Sequence, residues 1–374
     1  MLFYADTGRI GETAAETFLW VIPKSGTAQW LRVPRATGEL SAAVRAFREG
    51  MGVGGLARGP KPLVSNTAAD RKERVLTAAR ELYEALLGDA EALIAGRDLV
   101  IVPSRSLASL PFHALAEPGI TAAADPYSRA RWLAREHAIT ILPSVSSLIA
   151  PGAPAMAQLE TRTPYLAFAN PVLTGDVLPP LPETADEARA IAAALGATAD
   201  SLHLGAAATE ASLKQLSADG ELARASVVHF ATHGLVSGEL AGLTEPAIVL
   251  TPPSVSTSDD DGLLTASEVT TLKLDADWVI LSACNTASSD GGGETLSGLA
   301  RAFFYAGART LMVSHWPVNS ESAVRLASGA VSALAADPSM SRAEALRRAM
   351  VTEIEAGGDR ADPANWAPFI VVGR

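Results

Sequence analysis

The sequence predicts an α/β protein whose mostly parallel sheet is covered by helices on both faces. Two observations support this prediction. Short apolar runs rich in β-branched and aromatic residues alternate with amphipathic segments over the second half of the chain, and such alternation is typical of parallel sheets. Two of these runs also end beside reactive side chains, His233 and Cys284. Open α/β sheets carry their chemistry at the carboxyl ends of strands.

The composition is that of a globular protein of one large domain or two ordinary ones. The chain has 374 residues, of which 48% are hydrophobic and 19% charged, and its net charge is −11. That charge disfavours nucleic acid and anionic membranes as partners. The single cysteine excludes an internal disulfide and fits a reducing compartment. There is no spanning apolar run and no signal peptide, so we expect a cytoplasmic protein, and we expect neither a metal nor a cofactor.

The first 150 residues are predicted to begin with an antiparallel meander, because three strand-like runs follow one another across glycine- and proline-containing turns. The segment Arg71–Leu87 has the apolar periodicity of a helix. His113 and His137 have no cysteine partner in this part, so we interpret both as structural. The predicted strands are Leu2–Tyr4, Thr17–Ile22, Ala28–Val33, Leu99–Pro103 and Ala138–Ser144, and a further helix covers residues 39–49.

A predicted linker, residues 151–163, separates this part from the alternating strands and helices that follow. Thr184 and Glu187 have capping-box spacing, so a helix capped by Thr184 is predicted. The polar loop Pro252–Gly262 is predicted to be solvated and mobile, with a substrate-facing or processing loop as the alternative. The predicted strands are Tyr165–Ala169, Ser201–Leu204, Ala225–Ala231, Ala247–Thr251, Trp278–Ala283, Thr310–Ser314 and Ala367–Val372. The predicted helices are Thr184–Leu195, Thr209–Leu216, one opening at Glu294, Glu321–Ala336 and Arg342–Glu355.

The two candidate catalytic residues each follow a predicted strand. Trp278–Ala283 reads as a buried central strand and is followed by Cys284. Ala225–Ala231 runs into His233 and Gly234. A lone cysteine is more often a small buried hydrophobe, and a lone histidine is more often structural. If the two strands are parallel neighbours, however, both residues emerge at one edge of the sheet. Cys284 follows His233 by 51 residues, close to the spacing of about 50 known for caspases.

Six ordered motifs run through nearly the whole chain. They lie at Leu99–Pro103 with Leu110–Leu115, Ile141–Ser144, Leu181–Ala188, Val228–Gly234, Leu281–Ala287 with Gly298–Ala308, and Trp366–Phe369 with Gly373. Together these motifs resemble the CHAT domain, a caspase-like domain named for its association with TPR repeats. The domain is a relative of caspases, gingipains and separase.

The resemblance implies a caspase-like three-layer sandwich built from tandem halves. Residues 1–150 would be a degenerate, pseudo-protease half, and residues 164–374 the active half. It further implies a cysteine endopeptidase that cleaves a protein substrate through an acyl-enzyme on Cys284, with His233 as its base and His229 as a strand residue. Clan relatives are often latent, so a TPR-containing or sensor partner is expected to activate the protein.

Two further roles are predicted around the dyad. The backbone N–H groups of Gly234 and Cys284 would stabilise the oxyanion, and glycine leaves the approach to the substrate open. No carboxylate is evident to orient the imidazole of His233. Asn285 is a candidate for that role only because it lies close in sequence.

Specificity is predicted from the residues that follow the next strand. Separase-like relatives carry two acids in a W-D-V-x-D stretch that recognises a basic P1 side chain, and the matching Trp316–Ser320 lacks both acids. Glu294 and Glu321 could replace them, which leaves a basic P1 preference open. His315 lines the pocket or is structural. The predicted substrate-binding residues are Glu294, His315, Trp316, Asn319 and Glu321.

Two other classes of function were weighed against the peptidase. A pseudoprotease scaffold would bind partners without cutting and would have Cys284 and His233 misaligned. A phosphate-binding loop is suggested by the glycine-rich residues 291–295. No Lys-Ser/Thr pair follows these glycines, however, and Glu294 would repel phosphate, so the P-loop reading is weak.

Overall fold

A computed structural model describes residues 1–9, 13–53, 67–119, 125–148, 162–173, 178–240, 242–257, 259–282 and 298–373. The strands are β1 (Leu2–Asp6), β2 (Glu16–Val21), β3 (Gln29–Ala36), β4 (Leu99–Val102), β5 (Ile139–Ile141), β6 (Thr163–Ala169), β7 (Leu202–Leu204), β8 (Ala225–Ala231), β9 (Gly234–Leu235), β10 (Ala247–Val249), β11 (Leu263–Thr265), β12 (Trp278–Leu281), β13 (Thr310–Ser314) and β14 (Phe369–Gly373). The helices are α1 (Thr37–Gly50), α2 (Ala68–Leu87), α3 (Glu91–Ile94), α4 (Pro126–Arg129), α5 (Leu133–Glu136), α6 (Glu183–Leu195), α7 (Glu210–Ala218), α8 (Glu221–Arg224), α9 (Ala266–Val269), α10 (Gly298–Ala306), α11 (Ser320–Ala336), α12 (Arg342–Ala356) and α13 (Pro363–Trp366).

The chain divides into two compact units. The first comprises Met1–Val145 and Met350–Pro368, and the second comprises Ser146–Gly292, Leu296–Ala349 and Phe369–Arg374. The helices within the described ranges are all too short or too polar to cross a bilayer. Most of the predicted linker, residues 151–161, lies outside the described residues, and β6 begins at Thr163.

The first unit contains five strands in the order β3-β2-β1-β4-β5. β1, β2 and β3 pair antiparallel, which confirms the predicted meander, whereas β4 pairs parallel with both β1 and β5. Helix α2 buries the apolar face that its periodicity predicts, including Val75, Leu82 and Leu86. His113 and His137 are both buried, and the Nδ1 atom of His137 lies 2.6 Å from the carbonyl oxygen of Arg97.

The second unit contains six strands in the order β14-β13-β12-β8-β6-β7. All neighbours pair parallel except β13 and β14, which pair antiparallel, so the predicted mostly parallel sheet is confirmed. Every residue of β12 is buried, as its unbroken apolar run predicts. Helices such as α6 and α11 bury their apolar sides within this unit.

A separate small antiparallel sheet, in the order β11-β10-β9, follows β8 in the second unit. The sequence predicts β10 as a strand but predicts neither β9 nor β11. β9 has two residues and β11 has three, and such short runs cannot show the alternation that identifies a strand.

The predicted cap of α6 is wrong. The helix begins at Glu183, its N-cap is Pro182, and no side chain caps its first turn. Thr184 lies inside the helix with its hydroxyl bonded elsewhere, and Glu187 is fully buried. The Thr-x-x-Glu spacing is the same in a capping box and in the first turn of a helix, so the spacing alone cannot separate the two.

Gly307 connects α10 to β13 with a φ of +114°, and a Cβ atom added there would lie 2.1 Å from the carbonyl oxygen of Leu274. We expect Gly307→Ala to lower the free energy of unfolding by about 3 kcal/mol, because it combines a disfavoured φ with a backbone clash. Chemical denaturation measures the loss. The matched control is Gly196→Ala, where φ is +66° and nothing lies within 4 Å, so only about 1 kcal/mol is expected. Equal losses would contradict the clash.

His113 is fully buried, and burial lowers its pKa from 6.5 to about 4. Its neutral form therefore favours the folded state above pH 6.5, and that stability is lost as the pH falls from 6.5 towards 4. Between pH 7 and pH 5 we expect the wild type to lose about 2 kcal/mol more unfolding free energy than His113→Leu. Urea denaturation at both pH values measures the difference. Identical pH slopes for the two proteins would contradict a buried neutral histidine.

Candidate active site

The candidate site begins at the carboxyl ends of two neighbouring parallel strands. In the pairing of β8 with β12, Phe230 lies opposite Leu281, and the N–H of Ser282 donates to the carbonyl of Phe230 at 2.9 Å. The register therefore continues to the last residue described after β12. His233 is the third residue after Phe230, and Cys284 is the third residue after Leu281.

The backbone of His233 is fixed by β10. The hydroxyl of Thr232 donates to the carbonyl of Val249 at 2.6 Å, and the N–H of Val249 donates to the carbonyl of His233 at 2.9 Å. Thr232 is buried and His233 is partly exposed. The small sheet thus holds the main chain on both sides of the Cα atom of His233 while leaving its ring accessible.

The imidazole of His233 is oriented by a backbone carbonyl. Its Nε2 atom lies 2.8 Å from the carbonyl oxygen of Pro179. A carbonyl can only accept a hydrogen bond, so Nε2 carries the proton in the neutral ring. Nδ1 then has the free lone pair and is the atom that can accept a proton. Sequence reasoning missed Pro179, because a main-chain carbonyl has no side-chain signature.

The N–H of Gly234 is not used by the small sheet. Gly234 and Ile248 are opposite each other in the pairing of β9 with β10, and the bond from Val249 to His233 flanks this pair. In an antiparallel ladder, residues of such a non-hydrogen-bonded pair direct their N–H groups away from the partner strand. The Gly234 N–H is therefore directed away from β10, as a donor to a substrate requires.

Four of the five predicted substrate-binding residues follow β13, the other neighbour of β12. His315 and Trp316 are 3% and 1% exposed, and their rings stack with centroids 6.3 Å apart. Asn319 caps α11, since its Oδ1 atom accepts from the N–H of Ser322 at 3.3 Å. The side chain of Glu321 is 82% exposed and lies 3.6 Å from Arg325.

Three predicted site residues lie outside the described residues. These are Cys284, Asn285 and Glu294. The glycine-rich residues 291–295 also fall there. The described part of the site is therefore the histidine side: His233, Gly234 and the carbonyl of Pro179, together with the strand end at Ser282.

The polar loop after β10 is fastened to α7. Glu210 is buried, and its Oε2 atom accepts from the N–H groups of Asp261 and Gly262, each at 3.2 Å. Its Oε1 atom lies 2.6 Å from Nζ of Lys214, which also contacts Glu268 at 2.8 Å. Burial raises the pKa of Glu210, an effect that Lys214 opposes. The carboxyl end of the loop is thus anchored by charged groups.

Within the described ranges, no group of three or more His, Cys, Asp or Glu side chains could hold a metal ion.

Comparison with known proteins gives one family match and several similar structures. A family model described as CHAT domain matches residues 76–374. The chain is similar to the Arg-specific cysteine proteinase gingipain R, with 12% identity and a TM-score of 0.46, over 90% of this chain and 75% of that one. It is similar to the RgpB pro- and mature domains of Porphyromonas gingivalis, with 10% identity and a TM-score of 0.39, over 90% and 76%.

A further similar structure is the separase–securin complex of Saccharomyces cerevisiae, with 12% identity and a TM-score of 0.43. The match covers 90% of this chain but only 22% of that one. A search of curated proteins finds no match.

Proposed function

The chain belongs to the CHAT domain family, and from that membership we propose that it is a cysteine endopeptidase acting on a protein substrate. The observation that carries the proposal is the state of His233. Its Nε2 atom is engaged by the carbonyl of Pro179 at 2.8 Å, so the neutral ring offers Nδ1 as a base. His233 is also partly exposed and follows a strand end.

The register of the sheet supports a dyad of His233 with Cys284. Both residues stand three positions beyond a pair of residues that lie opposite each other, Phe230 and Leu281. The Cα atom of a residue two positions after Ser282 lies no more than about 7 Å from the Cα atom of Ser282. The carboxyl ends of parallel strands lie at one edge of the sheet. We therefore expect the Cys284 thiol and the His233 imidazole to come within hydrogen-bonding distance during the reaction.

The proposed reaction is acyl transfer to sulfur. Nδ1 of His233 takes the thiol proton, and the thiolate of Cys284 attacks the scissile carbonyl carbon to form an S–C bond. The C–N bond then breaks as the imidazolium returns its proton to the leaving amine. Water attacks the thioester, aided by His233, and releases the acid product and the free thiol.

The oxyanion of the tetrahedral intermediate needs donors that are already in place. We assign this role to the N–H groups of Gly234 and Cys284. The support for Gly234 is that its N–H is directed away from β10. The Gly234 donor directly follows the histidine, so the fixed backbone of His233 also fixes the donor.

The preference at P1 is proposed to come from an acidic side chain, Glu321 or Glu294. Glu321 is exposed in the first turn of α11, and its carboxylate suits a cationic side chain. Glu294 is the second candidate. His315 and Trp316 are buried, and we assign them to the floor of the pocket, with Asn319 at its rim.

Two further proposals rest on the family resemblance. Residues 164–374 would be the active half and residues 1–150 the degenerate half. A TPR-containing or sensor partner would relieve latency. The family match begins at residue 76, so residues 1–75, with the β1–β3 meander, lie outside it.

The activity is tested with fluorogenic peptides that differ at P1, using wild type, Cys284→Ala and His233→Ala. We expect both substitutions to lower kcat/KM by at least about 100-fold, since each removes one half of the nucleophile–base pair. Basic P1 residues are expected to be preferred, and Glu321→Gln is expected to weaken that preference.

The control is His203→Gln, which replaces another histidine of the same unit, one that stacks on Phe168. It is expected to retain activity within about twofold. Turnover that survives in Cys284→Ala would overturn the mechanism. If no protein turns over, an electrophilic peptide is added: labelling of Cys284 indicates a latent peptidase, and absence of labelling indicates the pseudoprotease scaffold.

A further inference from the structure

A second set of polar residues lies on α6 and the strands next to it and takes no part in the chemistry proposed above. One hydroxyl in it joins two segments of the site. The Oγ1 atom of Thr184 donates to the carbonyl of Leu181 at 2.7 Å and accepts from the N–H of Asn170 at 2.9 Å. Leu181 belongs to the turn before α6, and Asn170 directly follows β6 at the carboxyl edge of the sheet.

The turn that Thr184 holds is the one that orients His233. Pro179, whose carbonyl contacts Nε2, lies two residues before Leu181. Three of the four residues from 179 to 182 are prolines. Proline has no N–H, so this turn has only one backbone donor with which to fix itself. The carbonyl of Leu181 accepts from the N–H of Thr184 at 3.1 Å as well as from its hydroxyl, and the hydroxyl is the group that also links this turn to Asn170.

The same hydroxyl also bonds Asn170, a residue with an unusual backbone conformation. Its φ of +49° is the one positive value at a residue other than glycine among the described residues. Asparagine adopts this conformation more readily than other non-glycine residues, so the strain is small, but the position still depends on local hydrogen bonds. The bond from Asn170 to Thr184 is one such constraint, together with the 3.4 Å bond from Asn170 to the carbonyl of Ala231.

One turn further along α6, the side chain of Glu187 contacts strand β8. Its Oε1 atom lies 3.2 Å from Nε2 of His229 in β8, and Nδ1 of His229 lies 2.6 Å from the hydroxyl of Tyr165 in β6. All three side chains are fully buried. Burial and the charge of Glu187 raise the pKa of Tyr165 well above its usual range, so the hydroxyl stays protonated and donates to His229.

These contacts fix how α6 lies on the strand that carries His233. Thr184 and Glu187 are three residues apart and therefore share one face of the helix. Within the described residues, neither carboxylate oxygen of Glu187 has a well-aligned hydrogen bond. Such a buried pair is expensive and adds little stability, although it can specify one packing arrangement.

We propose that Thr184 is a positioning residue for His233. It holds the Pro179 carbonyl in place, so that the proton of the neutral His233 ring stays on Nε2. Glu187 fixes the position of α6, the helix that carries Thr184. The expected effect of Thr184 on turnover rests on the proposed function, whereas its expected effect on the proton position in the His233 ring does not. Without the hydroxyl of Thr184, the turn keeps the backbone bond from the Thr184 N–H but loses its link to Asn170. The Pro179 carbonyl is then held less firmly against Nε2, and the ring can turn or place its proton on Nδ1, which then cannot accept the thiol proton.

The experiment compares wild type, Thr184→Val, Thr184→Ser and Thr209→Val. Valine has the shape of threonine without the hydroxyl, and serine restores it. Thr209 is the matched control, since its hydroxyl accepts from the N–H of Ser212 in the first turn of α7 in the same unit. Two-bond ¹H–¹⁵N spectra of the histidine rings report the position of the proton, and His233→Gln identifies the signals of His233 among the six histidines.

We expect His233 to be the Nε2–H form in wild type, Thr184→Ser and Thr209→Val, and a mixture in Thr184→Val. Where wild type turns over peptide, Thr184→Val is expected to lower kcat about tenfold with little change in KM, and serine to restore most of it. A wild-type ring protonated on Nδ1 would overturn the proposal even if Thr184→Val failed to fold. So would an unchanged ring and kcat in a folded Thr184→Val. Absence of turnover in wild type would count against the proposed function, while the spectra would still decide the role of Thr184.

Discussion

The pairing of β8 with β12 is the constraint on which the rest of the site depends. It sets Phe230 opposite Leu281 and continues to Ser282, so two chain segments leave the sheet at one level. A register shift of one residue would move every side chain of a strand to the other face. It would also separate His233 from the residues after Ser282. Burial of both strands and parallel pairing on both of their sides make such a shift costly.

Two further sets of contacts fix the orientation of the His233 ring. β10 fixes the main chain of His233, and Pro179 engages its Nε2 atom. A carbonyl orients the ring as a carboxylate would, but it adds no full negative charge beside the imidazole. In the proposed dyad, the thiolate that forms with the imidazolium would supply that charge, which suits a cysteine nucleophile, since a thiol is far more acidic than a hydroxyl.

Much of this fold follows from the sequence, and the failures have physical causes. The apolar run of β12 and the periodicity of α2 are local signals of burial: every residue of β12 is buried, and the buried residues of α2 recur at helical spacing. Thr184 was misassigned as a cap because its spacing to Glu187 fits two helix positions equally well. Pro179 could not be found, since its carbonyl acts through the path of the backbone. The position of Cys284 beyond a strand end follows from pattern alone, whereas its distance to His233 depends on loop geometry that no local pattern encodes.

The central claim is that His233 and Cys284 form an acid–base pair, and it is tested most directly by the pH dependence of thiol alkylation. The chain has one cysteine, so the rate constant with iodoacetamide reports Cys284 alone and needs no substrate. A paired thiol is expected to react well below pH 8.5, near which a free thiol titrates, and in His233→Ala the midpoint should rise to about that value. Profiles that coincide in wild type and His233→Ala would contradict the dyad.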